Sequence, residues 1–219
     1  YYWLFNSPYK IGILSLELNA GQYQSTMLSR HIGVNINKIP DPEERVNFVK
    51  QDWVVEKRKE LRESEYGEPR FSLLDERDGS LDKVKIQIEK MIKRDNCKVV
   101  VIDPIQDLFE SVPLEDQTSF IKWLKNLVKD GITVIAIAHI TKGRTEIDRQ
   151  TGKRMMRVLT EDDLAGVSNL AKSSGCTILL SRDKYADDPF ERNLTYPTIG
   201  KCRWSGFTGE TNPWYYDPI

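Results

Sequence analysis

Cysteine, histidine and long apolar stretches are scarce in this sequence of 219 residues. The three cysteines are far apart and odd in number, and none forms a C-x-x-C pair. We therefore expect them to be reduced, small core residues of a cytoplasmic protein. The two histidines, His31 and His139, are not at metal-ligand spacing, so a zinc site is a weak interpretation. No apolar run approaches the ~18 residues that a membrane span needs, so no membrane span is expected.

Charge of one sign is also lacking, since the formal net charge is −1. No general basic field attracts nucleic acid, and any such site must be a local patch. The hydrophobic content of 39% and charged content of 30% are typical of a globular domain. The chain begins with "YYWLFNSPYK" and has no initiator Met. We expect a single domain over residues 1–219, truncated at its N-terminus within a helix that ends near Asn6.

An apolar run that ends on a carboxylate, "KVVVIDPIQD" at residues 98–107, is the most informative local pattern. A continuous β-branched run is typical of a strand that is covered on both faces, as in a parallel sheet. Pro104 has no N–H to extend a central ladder, so the strand should end at Asp103. Taken alone, Asp103 could equally be an ordinary cap of the next helix.

Similar apolar runs occur at residues 11–17, 132–139 and 176–183. Helical periodicity occurs at 80–95 and 117–130, and a charged helical region occupies 41–66. This alternation predicts an α/β fold with a mainly parallel β-sheet flanked by helices. After residue 190, "LTYPTIGKCRW" and "PWYYD" predict a C-terminal β-hairpin.

Glu17, Asp103 and His139 each end a separate apolar run. If these strands are parallel, all three side chains emerge at one edge of the sheet, where ligands bind in open α/β sheets. The combination suits phosphoryl transfer, which needs a metal, a group that orients the attacking water and a stabilising cation. The phosphate-binding pattern G-x-x-x-x-G-K-[ST] is absent from the sequence. We expect it just upstream of Tyr1, so the chain alone should hydrolyse ATP poorly.

The order of several motifs resembles hexameric replicative DNA helicases with a RecA-like fold, in the branch of phage primase–helicases, Twinkle and DnaB-type proteins. The similar segments are "ILSLELNAGQYQSTMLSRHIGVNINKI", "VVVIDPIQD", "VIAIAHITKG", "DLAGVSNLAKSSGCTILLSRD" and "GKCRWSGFTGE". The resemblance departs from the family pattern at Ala165, where the pattern has Arg, and at Gly175, where it often has Asp.

The resemblance implies catalytic roles for five residues. Glu17 would activate water, Asp103 would hold Mg²⁺ through a water molecule, and His139 would sense the γ-phosphate of ATP or another NTP or dNTP. Arg203, with Lys201 beside it, would be the arginine finger that acts on the nucleotide of the neighbouring subunit. From spacing alone, Lys201 and Arg203 are an ordinary exposed pair on a strand.

The segment after His139 is basic and would contact single-stranded DNA in the central channel of a hexameric or heptameric ring, as the resemblance implies. Such contacts are independent of sequence and sensitive to salt. An ordinary surface loop with incidental charge is the alternative, because Glu146 and Asp148 lie among the cations. The candidate DNA-binding residues are Lys142, Arg144, Lys153, Arg154 and Arg157.

The main hypothesis is therefore an NTP-driven DNA helicase motor that unwinds duplex DNA from 5′ to 3′. Its expected partners are single-stranded DNA, further copies of itself, a primase and a DNA polymerase, and no membrane. One alternative is another RecA-like ATPase, such as a recombinase paralogue or a clock-type ATPase. A second alternative is a non-catalytic DNA-binding or assembly module.

Overall fold

The computed structural model describes residues 1–75, 80–140, 146–147, 154–155, 159–164 and 168–216. The chain forms two compact units, one over Tyr1–Ile137 and a second that begins at Ala138. The single domain over 1–219 stays a prediction. Among the described residues, no helix is both long enough and apolar enough to cross a membrane.

A four-stranded parallel sheet forms the centre of the first unit, in the order β2-β1-β3-β4. Its strands are β1 (Lys10–Ser15), β2 (Phe71–Leu74), β3 (Cys97–Asp103) and β4 (Thr133–Ala136). Every residue of β1 after Lys10 is buried, as expected of a central strand covered on both faces. The predicted α/β fold with a parallel sheet is confirmed.

Seven helices accompany this sheet in the described part of the first unit: α1 (Tyr2–Asn6), α2 (Ala20–Ile32), α3 (Pro42–Val49), α4 (Asp52–Arg62), α5 (Leu81–Lys93), α6 (Ile105–Phe109) and α7 (Leu114–Lys129). The predicted helix at 80–95 is confirmed as α5, and the Ser80 side chain caps it by accepting from Lys83 N–H. Gly12 of β1 lets α5 approach closely, because a Cβ there would lie 2.9 Å from Met91 Sδ.

The charged helical region at 41–66 forms two helices, α3 and α4. The chain leaves helical geometry at Gln51, whose extended backbone begins α4. Val46 and Trp53 are almost half exposed, so the apolar residues of this region do not all face the core. The buried positions are Val54 and Leu61, and these pack into the core beneath β1.

The second unit contains an antiparallel sheet in which β8 is central. Its elements are α8 (Ser168–Ser173), β7 (Cys176–Ser181), α9 (Pro189–Arg192), β8 (Leu194–Cys202), β9 (Gly209–Glu210) and β10 (Trp214–Tyr215), and they follow a short antiparallel pair, β5 (Glu146–Ile147) and β6 (Arg154–Met155). β8 pairs with β7, β9 and β10. The predicted C-terminal hairpin is confirmed.

The apolar run at 176–183 differs from the other three runs. As β7 it pairs antiparallel with β8, and its residues alternate between buried and accessible positions. Ile178 and Leu180 are more than half exposed, so an unbroken apolar sequence does not mark burial on both faces here. The expectation for the cysteines also needs correction, since only Cys97 is buried, whereas Cys176 and Cys202 are partly exposed.

Candidate functional site

The carboxyl edge of the parallel sheet gathers carboxylates from three neighbouring strands. Ser15 of β1 pairs with Asp103 of β3, and Leu14 pairs with Leu74 of β2. Parallel strands end at the same edge, so Asp103, Glu17 and Asp75 all lie where this edge meets its loops. The sheet register therefore brings Glu17 and Asp103 to the same edge, as the sequence predicted.

A tight turn after β1 fixes where Glu17 lies. The Ser15 hydroxyl is almost fully buried and donates to Leu18 O at 2.7 Å. Leu16 N–H donates to Asp103 O at 2.8 Å, so the chain stays beside β3 for one residue beyond the ladder. Glu17 then lies exposed on the turn, whereas Asp103 is half-buried. A buried hydroxyl that is satisfied by a nearby carbonyl holds such a turn in one geometry.

Helix α2 starts directly after this turn. Asn19 caps it through a reciprocal pair of hydrogen bonds with Gln22. The N–H of Ala20, the first residue of the helix, donates to Asp75 Oδ2 at 2.8 Å. Asp75 thus links the end of β2 to the start of α2. Sequence reasoning missed Asp75, although an acid that directly follows the apolar run "FSLL" is the same signal that indicated Asp103.

Tyr23, on the first turns of α2, lies close enough to the edge to feel its charge. Burial raises the pKa of Tyr23, and the negative charge of Asp103 raises the pKa further. The phenol therefore stays protonated at neutral pH. The first turns of α2 therefore lie within electrostatic range of the Asp103 carboxylate.

The carboxylates at this edge have the chemistry that Mg²⁺ requires, and the Mg²⁺ site itself stays a prediction. Mg²⁺ prefers oxygen ligands and is usually bound through one or two carboxylates together with waters and substrate phosphates. Within the described ranges, no group of three or more His, Cys, Asp or Glu side chains is arranged to hold a metal by itself. The edge thus suits an ion held by Asp103 through a water and completed by a nucleotide.

His139 lies beyond the point where its strand ends. The predicted strand over 132–139 is shorter in the structure, and β4 ends at Ala136. Ile137 continues beside β3, donating to Ile102 O and accepting from Ile105 N–H, each at 2.9 Å. His139 is exposed and belongs to the second unit, so its approach to Glu17 and Asp103 stays a prediction.

Lys201 and Arg203 both contact the C-terminal turn of α8. Lys201 Nζ donates to Ala171 O, and Arg203 Nη2 donates to Lys172 O at 2.8 Å. Arg203 N–H also donates to Gly175 O at 2.8 Å. Carbonyls of a last helical turn lack intrahelical partners and attract cations. Both predicted cations are therefore held by the chain's own helix, although Arg203 remains exposed.

Gly175 allows Trp204 to lie against the backbone of the same turn. A Cβ at position 175 would be only 2.8 Å from Trp204 Cζ3. The departure from the family pattern at Gly175 thus has a local cause. An Asp at this position would displace the indole ring.

The predicted DNA-binding residues fall largely outside the described residues. Lys142, Arg144, Lys153 and Arg157 lie outside them, as does Ala165. For Arg154 the structure describes the backbone, within β6, but not the side chain. Their role stays a prediction.

Comparison with known proteins gives a family and a fold. The family model "DnaB-like helicase C terminal domain" matches residues 3–216. A solved structure described as "ATPase Domain of G40P" is 21% identical with a TM-score of 0.68, and the match covers 94% of this chain and 71% of that one. A second, "The Structure Of A DnaB-Like Replicative Helicase And Its Interactions With Primase", is 17% identical with a TM-score of 0.68. The second match covers 97% of this chain and 49% of that one, so the chain spans about half the length of that relative. No curated protein matches the sequence significantly.

Proposed function

Because the chain belongs to the family of DnaB-like helicase C-terminal domains, we propose that it is the NTP-driven motor of a replicative DNA helicase that unwinds duplex DNA from 5′ to 3′. The observation that carries this proposal is the parallel register of β1 with β3, which sets Glu17 and Asp103 at one edge of a RecA-like sheet. Family membership disfavours a recombinase paralogue or a clock-type ATPase.

The chemistry proposed for this edge is hydrolysis of the γ-phosphate of ATP or another NTP. Glu17, exposed on its turn, orients and deprotonates the attacking water. Asp103 would hold Mg²⁺ through a water molecule, and the ion would supply positive charge to the phosphates. His139 donates a hydrogen bond to the terminal phosphate and so distinguishes the nucleotide before and after hydrolysis.

Arg203 acts in trans in a ring of six or seven copies. It leaves Lys172 O, to which it donates in the structure, and reaches the phosphates of the neighbouring subunit. An arginine that meets charge developing only in the transition state is worth about 10³–10⁵ in rate. The exchange of Arg203 between Lys172 O and the neighbour's phosphates couples hydrolysis to the geometry of adjacent subunits. Lys201, which donates to Ala171 O, holds the same strand end against α8.

Single-stranded DNA is the proposed ligand of the central channel, bound through the basic segment after His139. The contacts are to phosphates and so are independent of sequence. One of the similar structures is described as interacting with primase, which supports a primase as a partner of the full-length protein. A DNA polymerase is a further proposed partner, and the cytoplasm is the proposed location.

The decisive experiment measures Arg203→Ala in the full-length protein. Hydrolysis of NTP should fall by about 10³ or more while nucleotide affinity is retained, since the lost cation acts on the transition state. Arg192→Ala is the matched control, because Arg192 is another exposed arginine of the same unit. Undiminished turnover in Arg203→Ala would remove the finger assignment.

Mixed rings separate action in trans from action in cis. Arg203→Ala subunits keep Glu17, and Glu17→Gln subunits keep Arg203. If the finger acts on the neighbour, each variant alone is inactive, but mixing them restores part of the turnover at interfaces that combine both intact residues. Mixtures that stay inactive would contradict the trans assignment, and unwinding of a forked duplex by wild type tests the helicase activity itself.

A further inference from the structure

Cys176 and Cys202 face each other across the antiparallel pair of β7 and β8. Cys176 is the first residue of β7, Cys202 is the last of β8, and the ladder makes them direct partners. Directly opposed residues in such a ladder have Cα atoms about 4.5–5.5 Å apart and project from the same face. Disulfides form at Cα separations of about 4.4–6.8 Å. The backbone is therefore already placed for a bond between these two sulfurs.

The two thiols differ in pKa, and each shifts the pKa of the other. The Ser205 hydroxyl donates to Cys202 Sγ at 3.0 Å and lowers the pKa of Cys202. Burial raises the pKa of Cys176, and the nearby Cys202 raises it further. The thiolate is the nucleophile in disulfide exchange, so Cys202 is the thiol that reacts first.

Cys97 provides an internal contrast. It is completely buried in β3, and burial raises its pKa to about 11. A buried thiol of high pKa is inert towards oxidants in the folded protein. Cys176 and Cys202 are both partly exposed, so a small oxidant can reach them.

We propose that Cys176 and Cys202 are a redox-active pair that a small disulfide such as oxidised glutathione converts into a reversible intramolecular disulfide. Cys202 loses its proton to solvent, and its thiolate attacks one sulfur of oxidised glutathione and expels a glutathione thiolate. The thiolate of Cys176 then attacks the Cys202 sulfur and expels the second glutathione thiolate. The pair gives up two protons and two electrons, and the two electrons reduce one oxidised glutathione to two reduced molecules.

The bond would close directly beside Arg203. Arg203 N–H already donates to Gly175 O, and its guanidinium donates to Lys172 O. A covalent link between Cys176 and Cys202 joins the neighbours of Gly175 and Arg203 and so holds the arginine against α8. This consequence for turnover rests on the proposed function of Arg203, whereas formation of the disulfide does not.

Peptide mapping of the full-length protein, folded and treated with oxidised glutathione, tests the pair directly. We expect a Cys176–Cys202 cross-link that dithiothreitol reverses, with Cys97 still reduced. Cys176→Ser should instead retain glutathione on Cys202, because the second step is lost. Cys202→Ser should show neither cross-link nor rapid adduct. Ser205→Ala should slow the first step several-fold and leave the same final product.

Three results would overturn the pair: wild type that carries glutathione on Cys202 without a cross-link, cross-links to Cys97, or no reaction at all. Turnover is a separate measurement. In oxidised wild type we expect hydrolysis to fall and to recover on reduction, while Cys202→Ser, which forms neither cross-link nor rapid adduct, keeps its turnover under the same treatment. A complete cross-link with unchanged turnover would refute the restraint on Arg203 and leave the disulfide itself established.

Discussion

At the scale of single residues, Asp75 joins two segments that are 55 positions apart in the sequence. Its carboxylate accepts from Ala20 N–H, one of the N-terminal amides of α2 that have no partner within the helix. The negative charge also suits the positive end of the helix. Because Glu17 lies three residues before Ala20, Asp75 helps to hold the turn that presents Glu17.

Replacing Asp75 with Ala should lower the free energy of unfolding by about 1 kcal/mol, the typical cost of a lost helix cap. Asp75→Asn retains an acceptor oxygen, so its free energy of unfolding should fall clearly less. Urea denaturation of both variants measures the difference. If the two substitutions destabilise the protein equally, the hydrogen bond to Ala20 is not what Asp75 contributes.

Asp103 and Glu17 were predictable as residues because each follows an apolar run long enough to be recognised as a buried strand. Asp75 follows a run of four residues, too short to distinguish a strand from a loop. The opposition of Cys176 and Cys202 could not be predicted, since the register of two strands is fixed by pairing partners and not by either strand alone.

At the scale of elements, a hydrogen-bonded carboxylate ties the edge strand β2 to the entrance of β3. The Ser72 hydroxyl donates to Asp95 Oδ2, and Arg94 Nε donates to Asp95 Oδ1 at 2.7 Å. These donors, Arg94 first and Ser72 second, lower the pKa of Asp95 from 3.8 to about 2. The carboxylate is mostly buried, with 15% of its side chain exposed.

The lowered pKa of Asp95 predicts how stability depends on pH. The stabilisation is fully present above pH 3.8 and is lost as the pH falls towards 2. In this range the unfolded state binds a proton at Asp95 more readily than the folded state does. Asp95→Asn should cost about 1–2 kcal/mol at neutral pH, and the difference from wild type should shrink through this acidic window. Urea midpoints measured over a pH series give both quantities.

Asp82→Asn is the matched control for Asp95. Asp82 also pairs with a cation, Lys85 at 3.0 Å, but its side chain is 86% exposed. Exposed pairs contribute little to stability. A loss in Asp82→Asn as large as in Asp95→Asn would contradict the role given to burial and to Ser72.

Strands and helices were predictable from the sequence where the apolar pattern fitted only one type of secondary structure. The runs that became β1 and β3 were continuous and buried, and the helical periodicity at 80–95 indicated α5. The run in β7 was misleading because Ile178 and Leu180 are apolar but exposed. The break between α3 and α4 carried no Gly or Pro signal, since the chain turns at Lys50 and Gln51.

At the scale of the whole molecule, the order of the motifs was more informative than any one of them. Each motif alone is loose, whereas their sequence from Glu17 to Arg203 anticipated the family match over residues 3–216. Physical chemistry of the residues predicted phosphoryl transfer at a sheet edge. It did not predict duplex unwinding, because translocation depends on contacts with DNA and with other copies of the chain.

The proposed channel contacts predict a change in the salt dependence of DNA binding. Neutralising four cations of the basic segment in the full-length protein should weaken binding to single-stranded DNA. It should also reduce the slope of log K against log salt by about 0.7 for each DNA phosphate that the segment no longer neutralises. The four substituted residues are Lys142, Arg144, Lys153 and Arg154.

A control with the same loss of charge distinguishes local binding from a general effect of net charge. Its four lysines lie on helices of the first unit, and the first three of them pair with acids on the same helix: Lys57, Lys85, Lys93 and Lys122. If phosphates are bound by the segment after His139, only the first variant changes the slope, because counterion release depends on the phosphates that are neutralised and not on net charge. Equal slopes in the two variants and wild type would leave the segment without a role in DNA binding.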